Sequence, residues 1–407
     1  MYQIQTPRKN IFRPTALAAA CSAVLLGGFA ATPTFAGDNI TEALTGGKAT
    51  MDMRVRYEGV TQDNTLDDAT ALTVRTRLGY KTGDFMNISG FLEMSNVTSL
   101  TADEDYNSKM NGNTGYSVIA DPTNTILNRA YLDYTGIADT TLRYGQQRII
   151  YDNARFIGNV GWRQTEQTYT AFRVTNKSLS DTTFDYAYLS NRYKITTAPE
   201  NISAHLLNAS YSGLGVGKLT GYAYLLDFPD AAASSSKTLG VRFKGATKGD
   251  IKFVYTAEYA NQSEYKDGSQ GDKAYMRLIG GVGMSGITVS VGYEVLGSDN
   301  GAYGFSTPLA TLHGQNGWAD QFLATPANGL VDTTLKVAGK LAGVKLVGVY
   351  HNYTADEGSA DYGTELDLLA VKKFGKNYSV GLKYASYTAD TWKVDTDKVW
   401  LWGGLKF

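Results

Sequence analysis

Cysteine is almost missing from this chain: 407 residues contain one, Cys21. It stands inside an apolar N-terminal run, with Val24-Leu25-Leu26 still to follow, so it does not hold the place of a lipid-bearing cysteine. Beyond it there is no thiol, which excludes disulfides, thiol catalysis and Cys-ligated metal there. Proline is scarce, 8 residues against 44 glycines. Histidine is scarcer still. His205, His313 and His351 lie far apart, fit no metal-ligand spacing and read as lone wall or loop residues. Neither sign of charge dominates, with 38 bases facing 39 acids. The first 36 residues hold three bases and no acid, so the remainder carries a formal charge of −4. Nothing here suggests nucleic acid as a partner. After residue 36 no apolar run is long enough for a membrane helix. Gly281-Val282-Gly283-Met284-Ser285-Gly286 matches Gly-x-Gly-x-x-Gly, but Ile287-Thr288-Val289-Ser290-Val291 follows as a strand, where a dinucleotide site needs a helix. No Gly-x-Ser-x-Gly elbow or P-loop is present. The expectation is a protein with no cofactor, no metal and no enzymatic role. A barrel hydrolase assembled from distant Ser, His and Asp residues is the enzyme reading that this leaves.

What is present begins at the N-terminus. Arg8, Lys9 and Arg13 precede an apolar, Ala-rich run over 15–31, and Thr34-Phe35-Ala36 supplies small residues for a peptidase. This is the pattern of a secretory signal peptide over 1–36, cleaved after Ala36. The far end is equally telling. Val399, Leu401, Gly403, Leu405 and Phe407 share one face of a strand; Trp400, Trp402, Gly404 and Lys406 share the other. A soluble domain seldom leaves such a strand at its fraying terminus. The last strand of an outer-membrane barrel closes the cylinder, and a final Phe resembles the signal read by the barrel-insertion machinery.

Between the ends, alternation of period two recurs throughout. Met51, Met53, Val55 and Tyr57 oppose Asp52, Arg54, Arg56 and Glu58; Leu72, Val74, Leu78 and Tyr80 oppose Thr73, Arg75 and Arg77. Eighteen such segments run from about 49 to 407. An exported chain with no spanning helix must close its sheet to satisfy its backbone in hydrocarbon. The fold expected for 37–407 is therefore all-β: a transmembrane antiparallel β-barrel of about 18 strands. Connections alternate between short periplasmic turns (136–138, 213–215, 285–286) and longer extracellular loops, notably 99–124, 148–162 and 297–330. No plug precedes residue 49, which argues against an energy-coupled receptor.

If the apolar face meets outer-membrane lipid, the polar face lines a lumen. Its charged members include Glu93, Arg129, Asp133, Arg143, Arg173, Asp185, Arg242, Lys244, Glu258, Arg277, Glu294, Lys336 and Glu365. Arginines concentrate at 54–77 and 129–173. They predict either an electropositive wall or Arg–carboxylate ladders that stiffen it.

Residues 141–174 carry Gly145-Gln146-Gln147-Arg148, then Asp152-Asn153-Ala154-Arg155-Phe156, then Gly158-Asn159-Val160-Gly161-Trp162-Arg163-Gln164. This stretch resembles the alginate-export family of outer-membrane barrels, with Gln146 where the family usually has Arg. The resemblance implies an eighteen-stranded barrel with an arginine-rich lumen and an acidic-polysaccharide cargo for its founding member. Physically, 148–164 is dense in donors. Arg148, Arg155 and Arg163 are suited to bidentate grip of carboxylates. Asp152, Asn153 and Gln164 suit hydroxyls, and Phe156 or Trp162 suits a sugar face. Gly158 and Gly161 permit a sharp inward fold. With Arg129, Asp133, Arg143 and Arg173 from the wall, these are the residues expected to meet a solute. The expected function is a porin-like channel for passive diffusion of small hydrophilic solutes, anionic or polyuronate-type sugars among them. The competing reading is an adhesion or anchoring barrel whose lumen is blocked by loops. Loop 297–330 suits a plug, a stacking surface or a lid equally well.

Overall fold

The computed structural model describes residues 39–407. The expected signal peptide over 1–36 lies outside the described residues. Eighteen strands form one antiparallel sheet in which each long strand pairs with its sequence neighbours. The first strand, Lys48–Gln62, pairs with both the second, Ala69–Lys81, and the last, Thr396–Lys406, so the sheet closes. Phe407 seals the seam, its N–H donating to the Met51 carbonyl at 2.9 Å.

Alternation dictates which way each side chain points. The outward set is greasy and open: Leu132, Val291 and Leu382 are 58%, 56% and 51% exposed. The inward set is polar and covered: Arg56 and Glu58 are 1% exposed. This is the reverse of a soluble domain. It is the arrangement a bilayer imposes, because a charge on the lipid face costs about 2–4 kcal/mol at mid-depth. All the charged positions expected inside fall on the lumen side of their strands.

Loop lengths depart from the expected strict parity. Three connections on the extracellular side are long, 100–123, 148–167 and 297–329. The rest are short, and 194–198 is no longer than the periplasmic turn 177–181. The six other external loops turn the chain at the rim, whereas the long three fold inward. The sixth strand starts only after the long loop 148–167. It spans Thr168–Asn176, so Arg163 and Gln164 belong to the loop. The reason is that residues 163–167 are buried by packing inside the barrel instead of by sheet pairing.

A short helix, Ile40–Thr45, precedes the first strand. Asn39 caps it by accepting the Glu42 N–H at 2.9 Å. The Ala43 carbonyl then accepts from Gly83, and the Leu44 carbonyl from the Tyr80 hydroxyl, which ties the chain entry to the periplasmic rim.

Candidate functional site

The lumen is shaped chiefly by two of the three infolded loops, 148–167 and 297–329. A loop inside a barrel buries backbone carbonyls that no strand partner satisfies. Arginine is the natural answer, carrying five donors and no acceptor. Arg54 donates to the Trp162 and Arg163 carbonyls at 2.8 and 2.7 Å and to Gln164 Oε1 at 2.9 Å. Arg56 donates to the Trp162 carbonyl at 2.6 Å and pairs with Asp121 and Glu58. Arg77 donates to the Gln164 carbonyl at 3.2 Å and lies 3.3 Å from Glu166. Arg54, Arg56 and Arg77 thus hold loop 148–167 and offer little to a solute.

Loop 297–329 crosses from wall to wall. Its Pro308 carbonyl accepts from Arg192 at 2.6 Å, and its Ser306 N–H donates to Gln262 at 2.8 Å. Asn316 reaches Glu294 and Asp332, at 2.8 and 3.0 Å, and the Ala319 N–H reaches Glu365 at 2.7 Å. The two loops also hold each other. The Gly158 N–H donates to the Leu309 carbonyl at 2.8 Å, and the Thr311 N–H to the Ala154 carbonyl at 2.9 Å. A Cβ on Gly158 would stand 2.3 Å from Thr311 Oγ1, so glycine is what allows this approach.

Trp162 is the keystone of the junction. It stacks on His313 at 4.7 Å between ring centres and meets Trp400 and Trp402 edge-on at 5.6 and 5.5 Å. The Lys383 ammonium lies 3.9 Å from the Trp162 ring centre and 4.0 Å from that of Trp318, a cation–π sandwich. It also donates to His313 Nε2 at 2.9 Å, while His313 Nδ1 bonds Asp320 at 2.8 Å. These partners fix a neutral imidazole with its proton on Nδ1. Burial, reinforced by Lys383, pulls the His313 pKa down to about 3, against the opposing pull of Asp320. His313 is therefore not the lone loop residue expected of it.

The residues singled out in the sequence fall into two groups. Arg155, Arg163 and Gln164 are sealed in. Arg155 is 1% exposed, lies 3.3 Å from Glu294 and donates to Asn316 at 3.0 Å. Arg163 donates to Glu58 at 2.9 Å and to Asp320 at 3.2 Å. Gln164 accepts from Arg54, donates to Thr73 Oγ1 at 2.9 Å, and gives its N–H to Asp121 at 2.8 Å. They pin the loop; a solute cannot reach them without moving it. Asp152 takes Lys218 and Arg242, at 3.5 and 3.6 Å. Gln146 points away from the lumen, its amide donating to the Leu127 and Asn128 carbonyls at 3.1 Å.

The second group forms a ladder with a common geometry. Arg129, Arg143, Arg173 and Arg148 each present the Nε/Nη2 edge to one carboxylate. Arg129 takes Glu93 at 2.9 and 2.6 Å, and Arg143 takes Asp133 at 2.6 and 2.8 Å. Arg173 takes Asp185 at 3.0 and 2.7 Å, and Arg148 takes Glu166 at 2.7 and 2.5 Å. Their side chains keep 19%, 26%, 21% and 31% of their surface open. Burial opposes ionisation of Glu166, but Arg77 and Arg148 outweigh it and hold its pKa down at about 2. Below the ladder a cleft of about 490 Å³ opens among Arg143, Arg173, Lys177, Thr135, Thr140 and Thr175. A second, of about 390 Å³, lies within loop 297–329 beside Tyr303, Phe305, Pro308 and Leu323.

Sequence reading missed His313, Lys383 and Trp400 as members of this centre. One signal was available: Trp400 and Trp402 sit on the polar face of the last strand, where bulky aromatics need something inside the barrel to pack against.

Solved structures share this architecture. Pseudomonas aeruginosa OccK1 (OpdK) superposes with a TM-score of 0.70 over 89% of this chain and 99% of its own, at 13% identity. Pseudomonas aeruginosa OccK9 (OpdG) gives 0.70 over 90% and 100%, at 12% identity. Acinetobacter baumannii OccAB2 gives 0.70 over 90% and 99%, at 16% identity. No family model matches the chain, and no curated protein does. The fold is that of the Occ/Opd outer-membrane porins. The resemblance of residues 141–174 to the alginate-export family gains no support from these neighbours.

Proposed function

We propose that this barrel is a passive channel in the outer membrane of a Gram-negative bacterium, passing small hydrophilic solutes and favouring anionic ones. The observation that carries the reading is the ladder of half-satisfied guanidiniums. Each of Arg129, Arg143, Arg148 and Arg173 is oriented by a carboxylate on one edge, which leaves Nη1 donors for another acceptor. A carboxylate moving along the wall exchanges one such edge for the next. The likeness in fold to porins supports the channel, and a structure of the neighbour OpdK with vanillate shows one such barrel meeting an aromatic carboxylate. A polyuronate cargo rests on residues 141–174 alone.

The interlock of loops 148–167 and 297–329 favours a second reading, a loop-blocked barrel used for adhesion or anchoring. Liposome swelling with graded sugars and organic acids separates the two. Swelling that falls with solute size supports the channel; none at any size refutes it. The remaining partners follow from the surface. The apolar belt takes outer-membrane lipid, and Phe407, 58% exposed at the seam, is the residue the insertion machinery would read. Deleting Phe407 should slow assembly in cells; normal assembly would refute that role.

A further inference from the structure

The formal charge of −1 hides a strong axial separation. The outer rim is acidic. Loop 63–68 holds Asp63, Asp67 and Asp68, and the next adds Asp103, Glu104 and Asp105; Lys109 is the one base in these two loops. Loop 355–360 contributes a further acidic pair. The periplasmic rim is the opposite. There the strand ends carry Lys218, Lys244, Lys252, Lys340 and Lys345, which the turn carboxylates Asp139, Asp181 and Asp250 offset only in part.

Register sharpens the contrast. Lys218 lies directly opposite Lys244, and Lys340 opposite Lys345, each pair on the lumen face. Like charges facing across a ladder repel. Among the described residues, no carboxylate forms an ion pair with Lys244, Lys340 or Lys345. Mobile anions from solution are drawn to these three lysines.

Low-dielectric walls focus the field of such charges into the lumen. At about 0.1 M salt, screening acts over roughly 10 Å. An apolar band of about 25 Å separates the rims, so each acts on its own mouth. We propose that the channel is an ionic rectifier, concentrating cations at the outer mouth and anions at the periplasmic mouth. With the outer side positive, each ion enters through the mouth that concentrates it, and the lumen fills with carriers. With the polarity reversed, each ion meets the mouth that excludes it, and the lumen is depleted. This inference rests on the channel reading.

The test is single-channel current in a planar bilayer at both polarities, in KCl at about 0.05 M and about 1 M. Residues beyond Cys21 contain no cysteine, so Ser359→Cys in loop 355–360, biotinylated, reports by streptavidin addition which rim faces which chamber. The expected result is a larger conductance with the outer side positive, by on the order of twofold at low salt, converging on equality at high salt. The triple variant Lys244→Gln, Lys340→Gln, Lys345→Gln should lower that ratio while leaving conductance at high salt unchanged. Symmetric currents in oriented channels at low salt, or the opposite sign, would overturn the rectifier and leave the channel standing. No conductance at all would sink the channel reading, and the rectifier with it.

Discussion

Arg163→Ala is the sharpest probe of the interlocked loops. Arg163 is 8% exposed, and its guanidinium sits between Glu58, at 2.9 and 3.1 Å, and Asp320, at 3.2 Å. Removing one partner of a buried ion pair costs about 3–5 kcal/mol. Here each carboxylate keeps another cation: Glu58 has Arg56 at 3.0 Å, and Asp320 has Lys398 at 3.2 Å. The loss therefore belongs at the low end, about 3 kcal/mol. That falls on the attachment of loop 148–167 and spares the strand ladder. At about 1.4 kcal/mol per tenfold, it raises the population of the displaced loop about a hundredfold. The assay is single-channel recording on barrel shown to be folded by its gel mobility before and after boiling. Expected are a larger mean conductance and frequent steps between levels. Arg163→Lys, which keeps the charge without the fork, should fall between. A folded variant whose conductance and noise match the parent protein would refute the idea that this guanidinium holds a constriction.

Gly158→Val places a Cβ where Thr311 Oγ1 stands 2.3 Å away, and should part the loops as Arg163→Ala does; unaltered conductance would show that they part without cost. Acid should loosen the junction in two steps. His313 stays neutral in the folded protein down to about pH 3, so its share of stability falls as pH drops from its unfolded value near 6.5. Glu166, held at about 2, loses its share as pH falls below its unfolded value near 4.5. Current noise should therefore be lowest near neutrality and rise with acid, and His313→Gln should remove the upper step. Replacing Arg143 and Arg173 by Gln should cut the anion-to-cation permeability ratio several-fold by reversal potential; an unchanged ratio refutes the ladder. Val291→Arg, on the lipid face, should cost about 2–4 kcal/mol in denaturant unfolding from vesicles.

The sequence alone determined the cylinder. Period-two alternation is local, and it located all eighteen strands because lipid and water act on every residue in turn. It also settled which face each side chain would take, Arg56 and Glu58 inward and Tyr57 outward. What it did not determine is what the charges meet. Arg129, Arg143, Arg155 and Arg163 look alike in the sequence, yet two line the lumen and two are locked against Glu294, Glu58 and Asp320. Their partners lie far away along the chain, and the pairing is decided by how loops 148–167 and 297–329 pack inside. The same holds for Trp162, His313, Lys383 and Trp400, four residues from two loops and two strands that become one centre. Alternation reports the solvent on either side of a strand. Only the closed barrel decides which distant groups share the water inside it.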